Sequence, residues 1–234
     1  MTSAPFPDAP VQSYKLRRGR MGIVRQEALA EHLGRYEVPA GTGVLDLAAL
    51  FGNANPVVLE IGSGMGDATL AMARATPDVN VLAAEVHTPG IGALLQGVVE
   101  HGLTNVRLLE GDGRTLLTER IAPRSLAGVR VYFPDPWPKA RHHKRRLIGP
   151  EFVELVADRL VPGGTLHCAT DWEPYAEQMV EVIGASARFT LDPDRSRPSW
   201  RPVTRFERRG LALGHVVNDV LATKGPSARP TTRP

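Results

Sequence analysis

A repeated change of hydrophobic period along the middle of the chain constrains its fold most. Val57-Val58-Leu59-Glu60-Ile61 is a short β-branched apolar run between Pro56 and Gly62, the pattern of a buried strand. A helical stretch over 67–75 follows, with Leu70, Ala71 and Ala73 available to pack. The two patterns then alternate: strand over 79–86, helix over 91–101, strand over 106–109, helix over 115–121, strand over 129–133. Pro150 opens a helix through 160, with Phe152, Leu155, Val156 and Leu160 at three- and four-residue spacing. Pro162-Gly163-Gly164 stops it, and a strand over 165–169 and a helix over 175–183 come next. Two weaker strand signals lie within 189–221, placed to close a sheet edge, and helices over 27–36 and 44–51 precede the sheet. Strands alternating with helices predict an α/β fold, a parallel sheet covered on both faces.

The chain of 234 residues is long enough for one full core. The expected division is a flexible N-terminus over 1–12, a single domain over 13–222 with a basic and helical extension at 13–55, and a disordered tail over 223–234. No apolar run approaches the roughly 18 residues that span a membrane, and the N-terminus lacks a charged-then-apolar signal pattern. One cysteine, Cys168, leaves no intramolecular disulfide and reads as a small buried residue in a strand. A cytoplasmic location without membrane is the expectation.

Net charge is only +3, but it is unevenly spread. Lys15, Arg17, Arg18 and Arg20 form one basic cluster, residues 141–146 a second, and Arg195, Arg197, Arg201, Arg205, Arg208 and Arg209 a third. Three clusters with Trp137 and Trp200 among them suggest a phosphate footprint rather than a uniformly cationic surface.

Glu60-Ile61-Gly62-Ser63-Gly64-Met65-Gly66-Asp67 falls at a strand-to-helix turn, where glycine backbone can adopt positive φ and touch a ligand. Glu85 ends the next strand, 19 residues after Gly66, near the spacing of an acid that grips ribose hydroxyls. The turn departs from a dinucleotide fingerprint, because the third glycine comes one position early and Asp67 stands in its place. An acid there repels a pyrophosphate but tolerates a cationic adenosyl cofactor. Glu60, Asp67, Glu85 and Asp112 all fall near the carboxyl ends of predicted strands, which favours S-adenosylmethionine over NAD. Asp112 could accept from an adenine amino group; it and Asp67 also suit the start of a helix.

Residues 131–146 read Val-Tyr-Phe-Pro-Asp-Pro-Trp-Pro-Lys-Ala-Arg-His-His-Lys-Arg-Arg. An apolar run ends in a loop whose three prolines fix φ and withhold donors. The loop offers Asp135, Trp137 and Lys139, and a basic run follows immediately. A rigid acid beside a cationic strip suits a protein that grips a polyanion and does chemistry on one part of it. His142 and His143 have no Cys, Asp or Glu at metal spacing, so no metal is expected. His215 reads as a core residue or a residue that supports the site.

The sequence resembles the bacterial tRNA (guanine-N7-)-methyltransferase family, which modifies the variable-loop guanine at tRNA position 46. The resemblance is carried by Leu59 to Gly66, Glu85-Val86-His87-Thr88-Pro89-Gly90, Phe133-Pro134-Asp135-Pro136-Trp137-Pro138-Lys139, Ala169-Thr170-Asp171-Trp172 and Thr204-Arg205-Phe206-Glu207, with Tyr14 to Arg20 similar to the family's leading basic motif. It implies a Rossmann-like class I S-adenosylmethionine-dependent methyltransferase with a mostly parallel seven-stranded sheet. It implies a cofactor site of Glu60, Gly62, Gly64, Glu85, Asp112 and Asp135, with Asp135 catalytic. Lys139, Asp171, Thr204, Arg205, Phe206 and Glu207 would be substrate-binding, and Arg141, His142, His143, Lys144, Arg145 and Arg146 would contact RNA. The partner implied is tRNA, with no metal and no obligate protein partner.

The chemistry fits this assignment. Guanine N7 has an in-plane lone pair and no proton, so methyl transfer needs alignment and negative charge near the developing cation rather than a strong base. An arginine paired to O6 and N7 would block the nucleophile, so Asp171 and Glu207 are the suitable acceptors for the N1–H and the exocyclic amine. Trp137 or Trp172 could stack on the base or simply pack. The rival readings are a methyltransferase for a protein or small molecule, a non-catalytic RNA-binding module, and a dehydrogenase.

Overall fold

The computed structural model describes residues 12–14 and 22–226. The basic cluster at Lys15 to Arg20 and residues 227–234 of the expected tail lie outside the described residues, as does the side chain of Arg205. Among the described residues seven strands form one sheet in the order β3-β2-β1-β4-β5-β7-β6. They are β1 (Val57–Ile61), β2 (Asn80–Glu85), β3 (Val106–Glu110), β4 (Leu126–Tyr132), β5 (Leu160–Thr170), β6 (Phe189–Leu191) and β7 (Asn218–Lys224). The first five run parallel, and β7 pairs antiparallel with both β5 and β6. The helices are α1 (Ile23–Tyr36), α2 (Leu47–Phe51), α3 (Asp67–Ala75), α4 (Thr88–Glu100), α5 (Gly113–Glu119), α6 (Pro150–Arg159), α7 (Glu173–Gly184) and α8 (Arg205–Ala212), with a 3-10 helix at Ala140–Arg145.

Period-two alternation sends each strand's side chains to two cores. Leu59 and Ile61 of β1 and Leu82 and Ala84 of β2 join Leu116, Phe152, Val156, Tyr175 and Met179 beneath α5, α6 and α7. Val81 and Ala83 face the other way, onto Tyr36, Ala73, Leu94 and Val98 of α1, α3 and α4. Burying a Leu, Val or Phe side chain contributes about 1.5–3 kcal/mol, so these two layers hold the sheet between them.

The differences from the sequence reading have local causes. Helix α2 starts at Leu47 rather than 44, because the Asp46 carboxylate accepts the Ala49 N–H at 3.0 Å and caps it there. Helix α4 starts at Thr88, since Pro89 fits a first turn. Strand β5 begins before Pro162-Gly163-Gly164 instead of after it. The register jumps from Leu126↔Leu160 to Gly128↔Thr165, so the Pro-Gly-Gly segment bulges out of the ladder and the strand resumes. No helix among the described residues is long and apolar enough to cross a membrane.

Candidate active site

The strand order reverses at β1, whose neighbours are β2 and β4. A crevice opens beyond the carboxyl ends at such a point. It holds a cavity of about 630 Å³. The turn from Gly62 to Gly66 lines it, with Glu85 to His87 after β2, Gly111 to Gly113 after β3, and Tyr132 to Asp135 after β4. Thr204, Phe206 and Arg209 of the α8 segment and Ser13 and Tyr14 complete the lining.

Gly62, Gly64 and Gly66 all have positive φ, at 80°, 58° and 87°. The Gly64 N–H donates to Glu85 Oε2 at 2.7 Å, and Glu85 Oε1 accepts the His87 N–H at 2.9 Å. One carboxylate thus ties the glycine turn to the start of α4. Gly90 makes the fit possible, because a Cβ there would lie 2.4 Å from the Gly64 carbonyl oxygen.

The cavity is acidic. Among the described residues its lining includes Glu60, Asp67, Glu85, Asp112 and Asp135 against one guanidinium, Arg209. Asp112 Oδ1 also accepts the Arg114 N–H at 2.9 Å and caps α5, and Asp67 occupies the first turn of α3. Glu60 is buried, and burial pushes its carboxyl pKa up, with Arg130 beside it on β4 pulling the other way. Glu60 Oε2 and Ser63 Oγ are buried on this wall without hydrogen-bond partners. Such orphans are costly unless a ligand supplies donors. These acceptors therefore fit a small ligand with cationic and hydroxyl groups and oppose a pyrophosphate. S-adenosylmethionine has these groups.

The loop after β4 is strained and clamped. Phe133 and Trp137 have φ of 52° and 46°, a region bulky residues rarely occupy, and they bracket Pro134-Asp135-Pro136. The Phe133 N–H donates to the Ala169 carbonyl at 2.7 Å. Trp137 is buried, its indole N–H donates to the Ser13 carbonyl at 3.0 Å, and the Arg145 guanidinium lies 5.0 Å over its ring. Arg146 donates from Nε to the Pro136 carbonyl at 2.9 Å and from Nη1 to Gln178 Oε1 at 2.6 Å. These contacts fix a loop that brings Asp135 to the cavity wall.

Of the two roles open to Trp137, the structure shows packing rather than availability to stack on a base. One expectation about this loop needs correction. Arg146 does not join the RNA-facing run, because its guanidinium is buried beneath the loop it supports. Arg141, His143 and Lys144 are exposed, while His142 and Arg145 are half-buried, and Lys139 is exposed just ahead of the 3-10 helix.

The third basic cluster and Glu207 also differ from the sequence reading. Arg201 is fully buried. Glu207 is buried too, and its carboxylate accepts from Arg201 at 2.7 and 3.2 Å and from the Thr204 N–H at 3.3 Å. It is committed inward and does not line the cavity, so it is not placed to accept from a base. Thr204 Oγ1 in turn accepts the Glu207 N–H at 3.0 Å, a reciprocal cap that starts α8. The Thr-x-x-Glu spacing is the sequence signal for this helix, whose start hydrophobic period does not mark. Asp171 lies just after β5, outside the cavity lining, and pairs through Oδ2 with His215 Nδ1 at 3.1 Å. His215 is exposed and supports Asp171, so it is not a core residue. Trp172 keeps an exposed face. No group of metal-ligating side chains is present among the described residues.

Comparison with known proteins agrees with this geometry. The family model described as "Putative methyltransferase" matches residues 54–220. The tRNA (guanine-N(7)-)-methyltransferase of Streptomyces avermitilis is 51% identical over 92% of this chain and 80% of its own length. The protein of that name from Nitrosomonas europaea is 46% identical over 92% of this chain and 97% of its own. Among solved structures, the 16S rRNA methyltransferase KamB superposes with a TM-score of 0.58 at 18% identity, covering 78% of this chain and 95% of that one. It supports the Rossmann-like class of the fold.

Proposed function

The chain belongs to the tRNA (guanine-N7-)-methyltransferase family, and on that premise we propose that it transfers a methyl group from S-adenosylmethionine to N7 of guanine 46 in the variable loop of tRNA. The bound cofactor supplies an electrophilic methyl on a sulfonium. The chain's own residues do the rest. Glu85 accepts from the ribose hydroxyls, Asp112 from the adenine amino group, and Glu60 faces the cationic portion, with Gly62 and Gly64 giving the ligand close backbone approach. Asp135 is the catalytic residue. It holds negative charge where the guanine becomes cationic, and it aids alignment of N7 with the methyl at roughly 3–3.5 Å. No proton leaves N7, so no general base is assigned.

On the substrate side, Lys139, Asp171, Thr204, Arg205 and Phe206 are the proposed binding positions, with Asp171 the acceptor for the guanine edge opposite N7. Arg141, His142, His143, Lys144 and Arg145 form the proposed strip for backbone phosphates. Glu207 enters this scheme only through the α8 cap. The observation that carries the reading is Asp135, fixed on the wall of an acid-lined cavity by a strained proline loop that leads directly into exposed cations. The test is incubation with unmodified bulk tRNA and isotopically labelled S-adenosylmethionine, followed by nucleoside mass spectrometry. The expected product is 7-methylguanosine at one variable-loop position. Label on N1 or N2, or none on tRNA, refutes the reading.

A further inference from the structure

Arg201 uses every proton of its guanidinium. Nε and Nη2 donate to Asp219 at 2.7 and 2.8 Å. Nη1 and Nη2 donate to Glu207 at 2.7 and 3.2 Å, and Nη1 also to the Pro202 carbonyl at 3.4 Å. That exhausts the five donors of the group. The same guanidinium lies 5.5 Å from the Tyr132 ring centroid and 5.8 Å from that of Phe133. Phe133 is one of the two strained residues that bracket Asp135, and Glu207 forms the cap of α8 with Thr204.

The network extends into the sheet. Asp219 Oδ1 also pairs with His167 Nε2 at 2.6 Å, and His167 Nδ1 meets the Tyr132 hydroxyl at 2.9 Å. Burial lowers the pKa of His167, which leaves the ring neutral. The carboxylate can only accept, so Nε2 carries the proton and Nδ1 accepts from the tyrosine. Arg197, with Nε 3.5 Å from Glu207 Oε1, brings the charges to two cations against two carboxylates. A buried ionic cluster of this kind is seldom more stabilising than apolar packing of equal volume. What it gives is a fixed geometry, because bidentate pairing is directional.

We propose that Arg201 is a positioning residue for methyl transfer: one buried guanidinium joins the entrance of the Asp135 loop to the start of α8, and so sets the wall that faces the methyl donor and the wall that faces the base from a single point. The proposal rests on the function argued above for its catalytic readout. Most of the cofactor affinity is expected from the acids at the carboxyl ends of β1 to β3 and most of the tRNA affinity from the exposed cations, with the start of α8 orienting the one base rather than holding the polyanion. Loss of the fork should therefore reduce the chemical step far more than either binding step.

Arg201→Lys tests this, since it keeps the charge while removing the planar, doubly bidentate fork. Single-turnover methylation should fall by about a hundredfold, the scale of a misplacement near 1 Å. The Kd values for S-adenosylhomocysteine and for tRNA should stay within about threefold. Hydrogen–deuterium exchange on the whole chain gives a readout independent of activity: segments 133–138 and 204–210 should lose protection together, while β1 and β2 keep theirs. If Arg201→Lys does not fold, Glu207→Gln, which cuts only the α8 arm, is read the same way and should show about tenfold slower transfer with exchange raised at 204–210. Parental transfer rates in either folded variant overturn the proposal, and so does exchange that rises across the whole sheet. A parent protein that makes no 7-methylguanosine refutes the function instead, and the exchange experiment still decides the clamp.

Discussion

Gly90→Ala sets two physical effects against each other. Gly90 is in the first turn of α4, and by helix propensity alone alanine should stabilise by up to about 1 kcal/mol. The packing predicts the opposite. The new methyl carbon would lie 2.4 Å from the Gly64 carbonyl oxygen and 3.1 Å from Glu85 Cγ. Ordinary contact is about 1 Å longer than the first of these, and the obstacle is backbone. Either α4 retreats or the glycine turn moves, and both break the match between Gly64 N–H and Glu85 Oε2, now 2.7 Å. Overpacking costs about 1–3 kcal/mol, which outweighs the propensity gain. For a chain of this size the melting temperature should fall by about 2–8 °C. Displacing Glu85 from the place proposed for the ribose hydroxyls should cost a charged hydrogen bond to the ligand, about 1.5–3 kcal/mol, and weaken S-adenosylhomocysteine binding roughly tenfold to a hundredfold. Differential scanning fluorimetry and titration calorimetry measure the two quantities. Gly34→Ala is the control: Gly34 is exposed in α1 with nothing within 4 Å of an added Cβ, so alanine should raise stability. A Gly90→Ala protein that melts higher than the parent and binds the ligand normally refutes the close-approach argument.

Four further variants test the site. Asp135→Asn keeps the shape of the loop side chain and removes its charge; turnover should fall by two orders of magnitude or more, on the order of an oxyanion-hole deletion, with near-parental tRNA affinity in a filter-binding assay. Replacing exposed Arg141 and Lys144 together with Ala should reduce the slope of log affinity against log salt by about 0.7–0.9 per charge, whereas Arg146→Ala should lower the melting temperature, because its buried guanidinium holds Pro136 and Gln178. Burial raises the folded-state pKa of Glu60 above the usual 4.5, so its contribution to stability is present below that value and is lost as pH rises through the folded pKa. A bound cation favours the ionised form, so ligand binding should release protons and tighten with rising pH, and Glu60→Gln should remove that dependence; calorimetry in buffers of different ionisation enthalpy would expose a failure as zero proton release in the parent.

The alternation of β1 to β5 with their helices, the acidic crevice and the stiff loop that carries Asp135 are all legible in the sequence. These depend on neighbours a few residues apart. Hydrophobic period separates strand from helix, glycine and proline mark the turns, and an acid at the end of a parallel strand reaches the crevice whatever covers the sheet. The Thr-x-x-Glu cap of α8 is equally local, but it is a capping signal that hydrophobic period does not carry. Which way the charges face depends on long-range contacts. Arg146 and Arg201 belong to runs that look like solvated cations, yet α7 and β7 bring Gln178 and Asp219 to them from 32 and 18 residues away and bury both. Glu207 carries the charge of a base acceptor, but the fold gives it to Arg201. Trp137 is closed off by Ser13, 124 residues distant in the chain. A run of like charges states composition but not facing; which side chain turns inward depends on where a distant partner can satisfy it, and that partner is fixed only when the sheet edge and its helices have closed.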